Sequence, residues 1–383
     1  MIPQSNEAEP YTLFEAGQVR PLALSPAGDR LYAVNTPDDR LEIFDITQNK
    51  LNLLASIPTG SRPVAVAALD DRFVWVVNHL SDSVSVVDAS LDPPRVVRTH
   101  WVGDEPRDIV IAGPKRRRAF IATAHRGQNN PVDPELNTPG VPRCDVFVFD
   151  ADELGDEPGG EPLTILSLFG DTPRALATSP DGSSVYVAVF FSGNRTTTVA
   201  VSPLIDTLDG GDTPESRLPK PEPSANVEGI PAPETGIIVT NEGDAWVDEA
   251  GTDYSQWIPF SLPDRDIFVI DANAETPAET ESIVGVGSTI FNLAIHPKSG
   301  ALFVSNFEAR NAVRFAGRGE LGTTLKGHPV DDRITIVASD RQLRHRLLNK
   351  HLDRTPNATI ADSEAAKSLS YPLEMALNSD GSE

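Results

Sequence analysis

Apolar and polar residues alternate in short runs along most of the chain, as in LYAVN from Leu31, VWVVN from Val74, AFIAT from Ala119, VYVAV from Val185 and LFVSN from Leu302. Period-two runs of β-branched and aromatic residues, bounded by Gly, Pro, Asn and Asp, predict strands. Ahead of each run stands a related phrase: RPLALSP at 20–26, RPVAVAA at 62–68, EPRDIVI at 105–111, TPRALATS at 172–179 and IFNLAIHP at 290–297. A sixth copy, YPLEMALNS at 371–379, is followed only by SDGSE turn chemistry. Third runs begin at Arg40, Ser83, Asp145, Asp266 and Arg333, and more polar fourth runs cover, for example, 51–57, 96–101 and 163–169.

The first three phrases start 42 and 43 residues apart, close to the roughly 40–45 residues of a four-stranded propeller blade. One such unit cannot bury both faces of its sheet and must stack on neighbours. The pattern therefore predicts an all-β chain, a β-propeller of four-stranded blades forming one domain over 1–383. Blade 1 is expected at 20–58, blade 2 at 61–102, blade 3 at 104–170, blade 4 at 171–287 with an insertion at 191–265, and blade 5 at 288–350 with an insertion at 307–332. YTLFEA at 11–16 reads as the outer strand of a closing blade whose first strand lies within 370–383; joining chain ends in one blade removes open sheet edges. Five whole blades and one interrupted closing blade are expected, and the chain reads as part of a longer one.

The extra length falls between second and third strands, at 124–143, about 191–265 and 307–332. In a blade these connections leave the same side as the links between blades, so they predict long loop insertions capping one face. The Pro-rich part, LPKPEPSANVEGIPAPE, is expected to be extended rather than regular.

The LYAVN, VWVVN and LFVSN strands, with following strands that end in Asp45, Asp88, Asp150 and Asp271, resemble YVTN-type β-propeller repeats over nearly the whole chain. IPFSLPDRDIFVIDA at 258–272 and SNFEARNAVRF at 305–315 resemble the propeller portion of exported bacterial proteins in which a di-haem cytochrome c domain of the peroxidase type follows. The resemblance implies a non-catalytic recognition or scaffold module in electron transfer, periplasmic or extracellular, with a c-type cytochrome domain as partner on the same polypeptide or a separate one. It places haem c only in a downstream domain and no cofactor within this chain.

Composition narrows the partners further. With 32 Lys+Arg against 56 Asp+Glu the net charge is −24, which disfavours nucleic acid and anionic membranes. No apolar run approaches the roughly 18 residues of a bilayer span, and the first residues lack the basic and apolar regions of a secretory signal. A lone cysteine, Cys144, excludes a disulfide framework, a CxxC zinc pair and a CxxCH haem attachment within the chain.

Candidate chemistry is sparse. Asn35, Asn78, His79, His125, Arg126 and Asn306 fall at or just after second-strand ends, which suggests a polar ring at the channel mouth; capping of strand ends by Asn is the alternative. Arg310 and Arg314 form a basic cluster in an acidic background and suggest docking. Glu242, Asp244, Asp248 and Asp253 offer hard oxygen ligands for Ca²⁺, although their spacing departs from the known loop motif. PKRRR at 114–118 reads as a solvated hairpin tip. Besides the recognition module, two readings stay open: a metal-dependent hydrolase of lactonase type using the cap carboxylates, and a haem-holding propeller with His79 or His125 as axial ligand. No GxSxG elbow, GxxxxGK[ST] loop or helix-opening GxGxxG supports other enzyme classes.

Overall fold

The computed structural model describes residues 18–47, 50–124, 143–199, 225–231, 237–248, 251–258, 265–311, 329–354 and 360–382. Five four-stranded antiparallel sheets follow one another along the chain. Blade 1 is β1 (Leu22–Leu24), β2 (Arg30–Asn35), β3 (Arg40–Thr47) and β4 (Lys50–Pro58); blade 2 is β5 (Pro63–Ala68), β6 (Phe73–Asn78), β7 (Ser83–Asp88) and β8 (Arg95–Trp101). Blade 3 comprises β9 (Asp108–Ala112), β10 (Arg118–Ala124), β11 (Cys144–Asp150) and β12 (Thr164–Leu168). Between β13 (Pro173–Thr178) and β14 (Ser184–Val189) of blade 4 and its outer strands β18 (Ile267–Asp271) and β19 (Ala278–Ile283) lies a separate small sheet of β15 (Thr196–Val199), β16 (Ile237–Asn241) and β17 (Trp246–Val247). Blade 5 is β20 (Thr289–Ile295), β21 (Leu302–Ala309), β22 (Val330–Val337) and β23 (Leu343–Leu347). The fold is a β-propeller.

Apolar faces of neighbouring blades meet in four cores. Tyr32, Leu41 and Ile43 of blade 1 pack on Val66, Val74 and Val76 of blade 2, and Trp75 and Val77 of blade 2 on Ile109, Ile121 and Phe149 of blade 3. Phe120 and Val146 meet Leu176, Val187 and Phe268 across blades 3 and 4, while Ala188, Ile267 and Val269 meet Ile290, Leu293 and Val304 across blades 4 and 5. Strand alternation makes this possible: β6 and β7 are sandwiched between two neighbours and are buried on both faces. The other face of blade 1 leaves Leu22, Leu24, Leu51 and Leu53 more than half exposed.

Local chemistry sets the turns. In blade 1 the Ser25 hydroxyl donates to Asp29 and accepts from the Arg30 amide, and Gly28 supplies a positive φ of 74°. Ser179, Asp181 and Gly182 rebuild the same turn in blade 4. A second repeated device is Gly60, Gly103, Gly170 and Gly287, each three residues ahead of a first-strand Pro63, Pro106, Pro173 or Ile290. A Cβ at Gly60 would lie 2.6 Å from Asn78 Nδ2, so glycine there lets the link between blades pass over the second-strand end.

Several expectations change. PKRRR is solvated only in its first half: Pro114, Lys115 and Arg116 are exposed, whereas Arg117 pairs with Asp70 of blade 2 and Asp152 of blade 3, and buried Arg118 donates to the Ala272 and Ala274 carbonyls of blade 4. Arg117 and Arg118 clamp three blades. The blade 5 insertion is shorter than 307–332 because β21 and β22 run on as a ladder to Ala309 and Val330. No strand forms in 370–382, since a ladder needs a pairing strand and none is assigned beside it among the described residues. Tyr371 nevertheless has φ 54°, like Arg62, Glu105 and Thr172 at the corresponding blade openings, and its ring packs on Phe307. The expected outer strand at 11–16 lies outside the described residues.

Candidate functional site

On the propeller axis, buried Asp108 at the start of β9 receives Arg20 Nε at 3.0 Å and Nη2 at 3.1 Å, together with the amides of Ile109 and Leu176. Arg20 Nη2 also donates to the Leu176 carbonyl at 2.6 Å. One carboxylate thus joins the lead into blade 1 to the inner strands of blades 3 and 4. Asn292, at the same repeat position in blade 5, accepts from the next amide in the same way and donates to the Val19 carbonyl. The centre of the described disc is a hub of buried polar ties between blades.

The candidate mouth residues divide. Asn78 and Asn306 are fully buried: Asn78 Nδ2 donates to Ser83 and Ser85, and Asn306 bonds the Val304 carbonyl, Thr335 and Arg333. They peg second strands to third strands and do not line an open mouth, because the position lies under the glycine of the inter-blade link. Asn35 is half-buried and donates to Asp38 and Glu42. His79 is buried at the junction of blades 2 and 3, donates from Nδ1 to the Pro106 carbonyl, and is shifted towards the neutral form by burial and by the Arg107 charge. Arg310 is half-buried, 3.9 Å from Asp331. His125, Arg126 and Arg314 lie outside the described residues.

The carboxylates suggested for Ca²⁺ are used differently. Asp248 accepts from the Thr252 amide and the Tyr254 hydroxyl, which burial and this carboxylate push up to about 12. Asp253 accepts from the Ser255 amide and hydroxyl, which hold its pKa low. Glu242 and Asp244 are exposed at the β16–β17 turn. Among the described residues no group of three or more His, Cys, Asp or Glu side chains comes together as a metal site would need. These acids instead shape a cap sheet with its own small core of Val199, Val239, Trp246, Tyr254 and Ile258.

Beside that sheet, blades 4 and 5 leave a cleft of about 280 Å³. It is lined by Asn194 and Arg195 of the cap lead, Asp266 ahead of β18, Glu308 of β21, Arg333 of β22 and His345 of β23. Asp266 and Arg333 occupy the same third-strand opening that is Arg40, Ser83 and Asp145 in the other blades, so the repeat fixes the position and leaves the chemistry free. Asp266 is 2 % exposed, and its carboxyl takes the Val286 and Gly287 amides. Burial, reinforced by the Glu308 charge, pushes it up to about 7. The Ser192 hydroxyl is within reach of both the Gly287 carbonyl and the Asp266 carboxyl, and its bond to that carboxyl opposes the rise. Arg333 pairs with Glu308 at 2.7 Å and donates to Asn306 and the Val286 carbonyl. Thr335 donates to the Val286 carbonyl, so its oxygen accepts from His345 Nδ1 at 3.0 Å and the neutral ring directs a lone pair at Nε2 elsewhere. Sequence reading missed this group: His345 stands in no motif, and Asp266 and Arg333 were read only as strand starts.

Cys144 opens β11 fully buried, and desolvation raises its thiol pKa well above the ordinary value, as suits a packing residue. No helix among the described residues is long and apolar enough to cross a membrane.

Comparison with known proteins agrees with the architecture. The family model "Lactonase, 7-bladed beta-propeller" matches residues 3–189, just under half of the chain. That stretch ends before every residue of the blade 4–5 cleft. No curated protein matches the chain. Among solved structures, the chain is similar to hydrazine synthase of Kuenenia stuttgartiensis, with 16% identity, 90% of this chain and 69% of that one covered, and a TM-score of 0.51. A Bacteroides uniformis structure described provisionally as a 6-phosphogluconolactonase is also 16% identical, over 85% and 69% of the two chains, with a TM-score of 0.45. The class defined by fold and comparison is the β-propeller.

Proposed function

We propose that this chain is a non-catalytic β-propeller recognition module of YVTN type in an exported, periplasmic or extracellular protein, whose loop-built face docks a c-type cytochrome domain on the same or a separate polypeptide. The observation that carries the reading is that the long connections of blades 3, 4 and 5 all run from a second to a third strand, so the strand ends they join belong to the same side of a blade. Two are laced together: Asn194 donates to the Ala309 carbonyl at 3.0 Å and Asn311 to Thr196 at 2.8 Å. Extra chain placed on one side of a repeat disc is chain placed for contact. Arg310 and Arg314, in the same connection, are the candidate cationic contacts of a chain whose net charge is −24. The test is surface plasmon resonance with a di-haem cytochrome c of the peroxidase type. Binding that weakens with salt and is reduced in Arg310→Glu is expected; no binding at about millimolar concentration ends the reading.

A second reading, a propeller hydrolase, draws on the lactonase-family likeness and on Asp266, whose pKa near neutrality suits a general base. It requires lactone turnover by the wild type that is lost in Asp266→Asn. Turnover retained in that variant removes Asp266 from the role.

A further inference from the structure

In the blade 4–5 cleft the acceptors and the cationic donors are used unequally. Glu308 is neutralised by Arg333 at 2.7 Å, and Asp266 is filled by backbone amides. The acceptors are thus largely occupied, whereas the cationic donors are not. Arg333 spends Nε on Asn306 and Nη2 on Glu308 and the Val286 carbonyl, and among the described residues Nη1 has no hydrogen-bond partner. Arg195, exposed at the cleft edge on a left-handed turn residue with φ 62°, has no side-chain hydrogen bond or ion pair among the described residues. Its backbone is fixed, because its carbonyl accepts from the Asn241 amide, so the guanidinium is carried on an anchored turn.

We propose that the cleft between blades 4 and 5 is a binding site for a small organic carboxylate, held by the Arg195 guanidinium and the free edge of Arg333. Two guanidinium edges match a planar carboxylate better than a point charge does. The volume of about 280 Å³ suits a small organic acid and is too small for a folded partner. Because Arg333 is partly neutralised by Glu308, Arg195 contributes most of the net attraction, and affinity is expected in the millimolar range.

The experiment uses the full chain with succinate, and succinamide as the uncharged analogue, followed by calorimetry and by the Arg195 Nε–H signal in NMR. Succinate is expected to bind and shift that signal, succinamide not to bind, and Arg195→Ala to weaken succinate about tenfold with unchanged thermal unfolding. Arg333→Lys, which keeps charge but loses the fork, is expected to weaken it by a smaller factor. Equal binding of succinamide, unaltered affinity in Arg195→Ala, or no succinate binding at about 20 mM each overturns the proposal.

Discussion

Asp108 and Asp266 are both buried at the opening of a strand and both accept backbone amides, yet their surroundings differ by one cation. Asp108 receives a two-pronged Arg20 and joins three blades. Asp266 has no cation hydrogen-bonded to it, stands near Glu308, and is pushed up to about 7. A buried carboxylate with a matched guanidinium is a fixed structural tie; one held by amides and a hydroxyl, with no cation bonded to it, retains a proton near neutrality. The hub and the cleft are thus the cohesive and the responsive parts of one disc.

The largest expected effect is at the hub. Asp108→Ala leaves Arg20 and the Leu176 amide without their acceptor and should cost about 3–5 kcal/mol in chemical unfolding; a cost below about 1 kcal/mol would show that the blades do not depend on this tie. Next comes the pH dependence from Asp266. Its folded pKa is raised from 3.8 to about 7, so between those values the folded state holds a proton that the unfolded state has lost, and stability falls as pH rises through this window. The fall is on the order of a few kcal/mol, and Asp266→Asn should flatten it; an unchanged slope assigns the effect elsewhere. Gly60→Ala forces a Cβ onto Asn78 and should cost about 1–3 kcal/mol, measured by thermal unfolding. Smallest is Arg117→Ala, which removes partly exposed pairs to Asp70 and Asp152 and should cost at most about 1 kcal/mol, less at high salt.

Alternation and the repeated opening phrase made the strands and the propeller legible, because both are local properties of the chain. The glycine three residues before Pro63, Pro106, Pro173 and Ile290 was equally repeated and would have identified Asn78 and Asn306 as pegs beneath a crossing link. Comparing the third-strand openings Arg40, Ser83, Asp145, Asp266 and Arg333 would also have drawn attention to the cleft. The Arg20 to Asp108 tie was not legible, since nothing local tells a carboxylate which cation, 88 residues away, will face it across the axis. Arg118 misled for a related reason: a run of basic residues reads as solvated until neighbouring blades supply carbonyls to receive it.

The most direct test of a one-sided contact surface is hydrogen exchange of the full chain with and without the di-haem cytochrome c. Protection is expected in 193–199, 237–258 and 305–311, with none in the opposite turns at 26–29, 70–72, 113–117 and 180–183. Protection centred on those opposite turns, or no change on either face, would contradict the account.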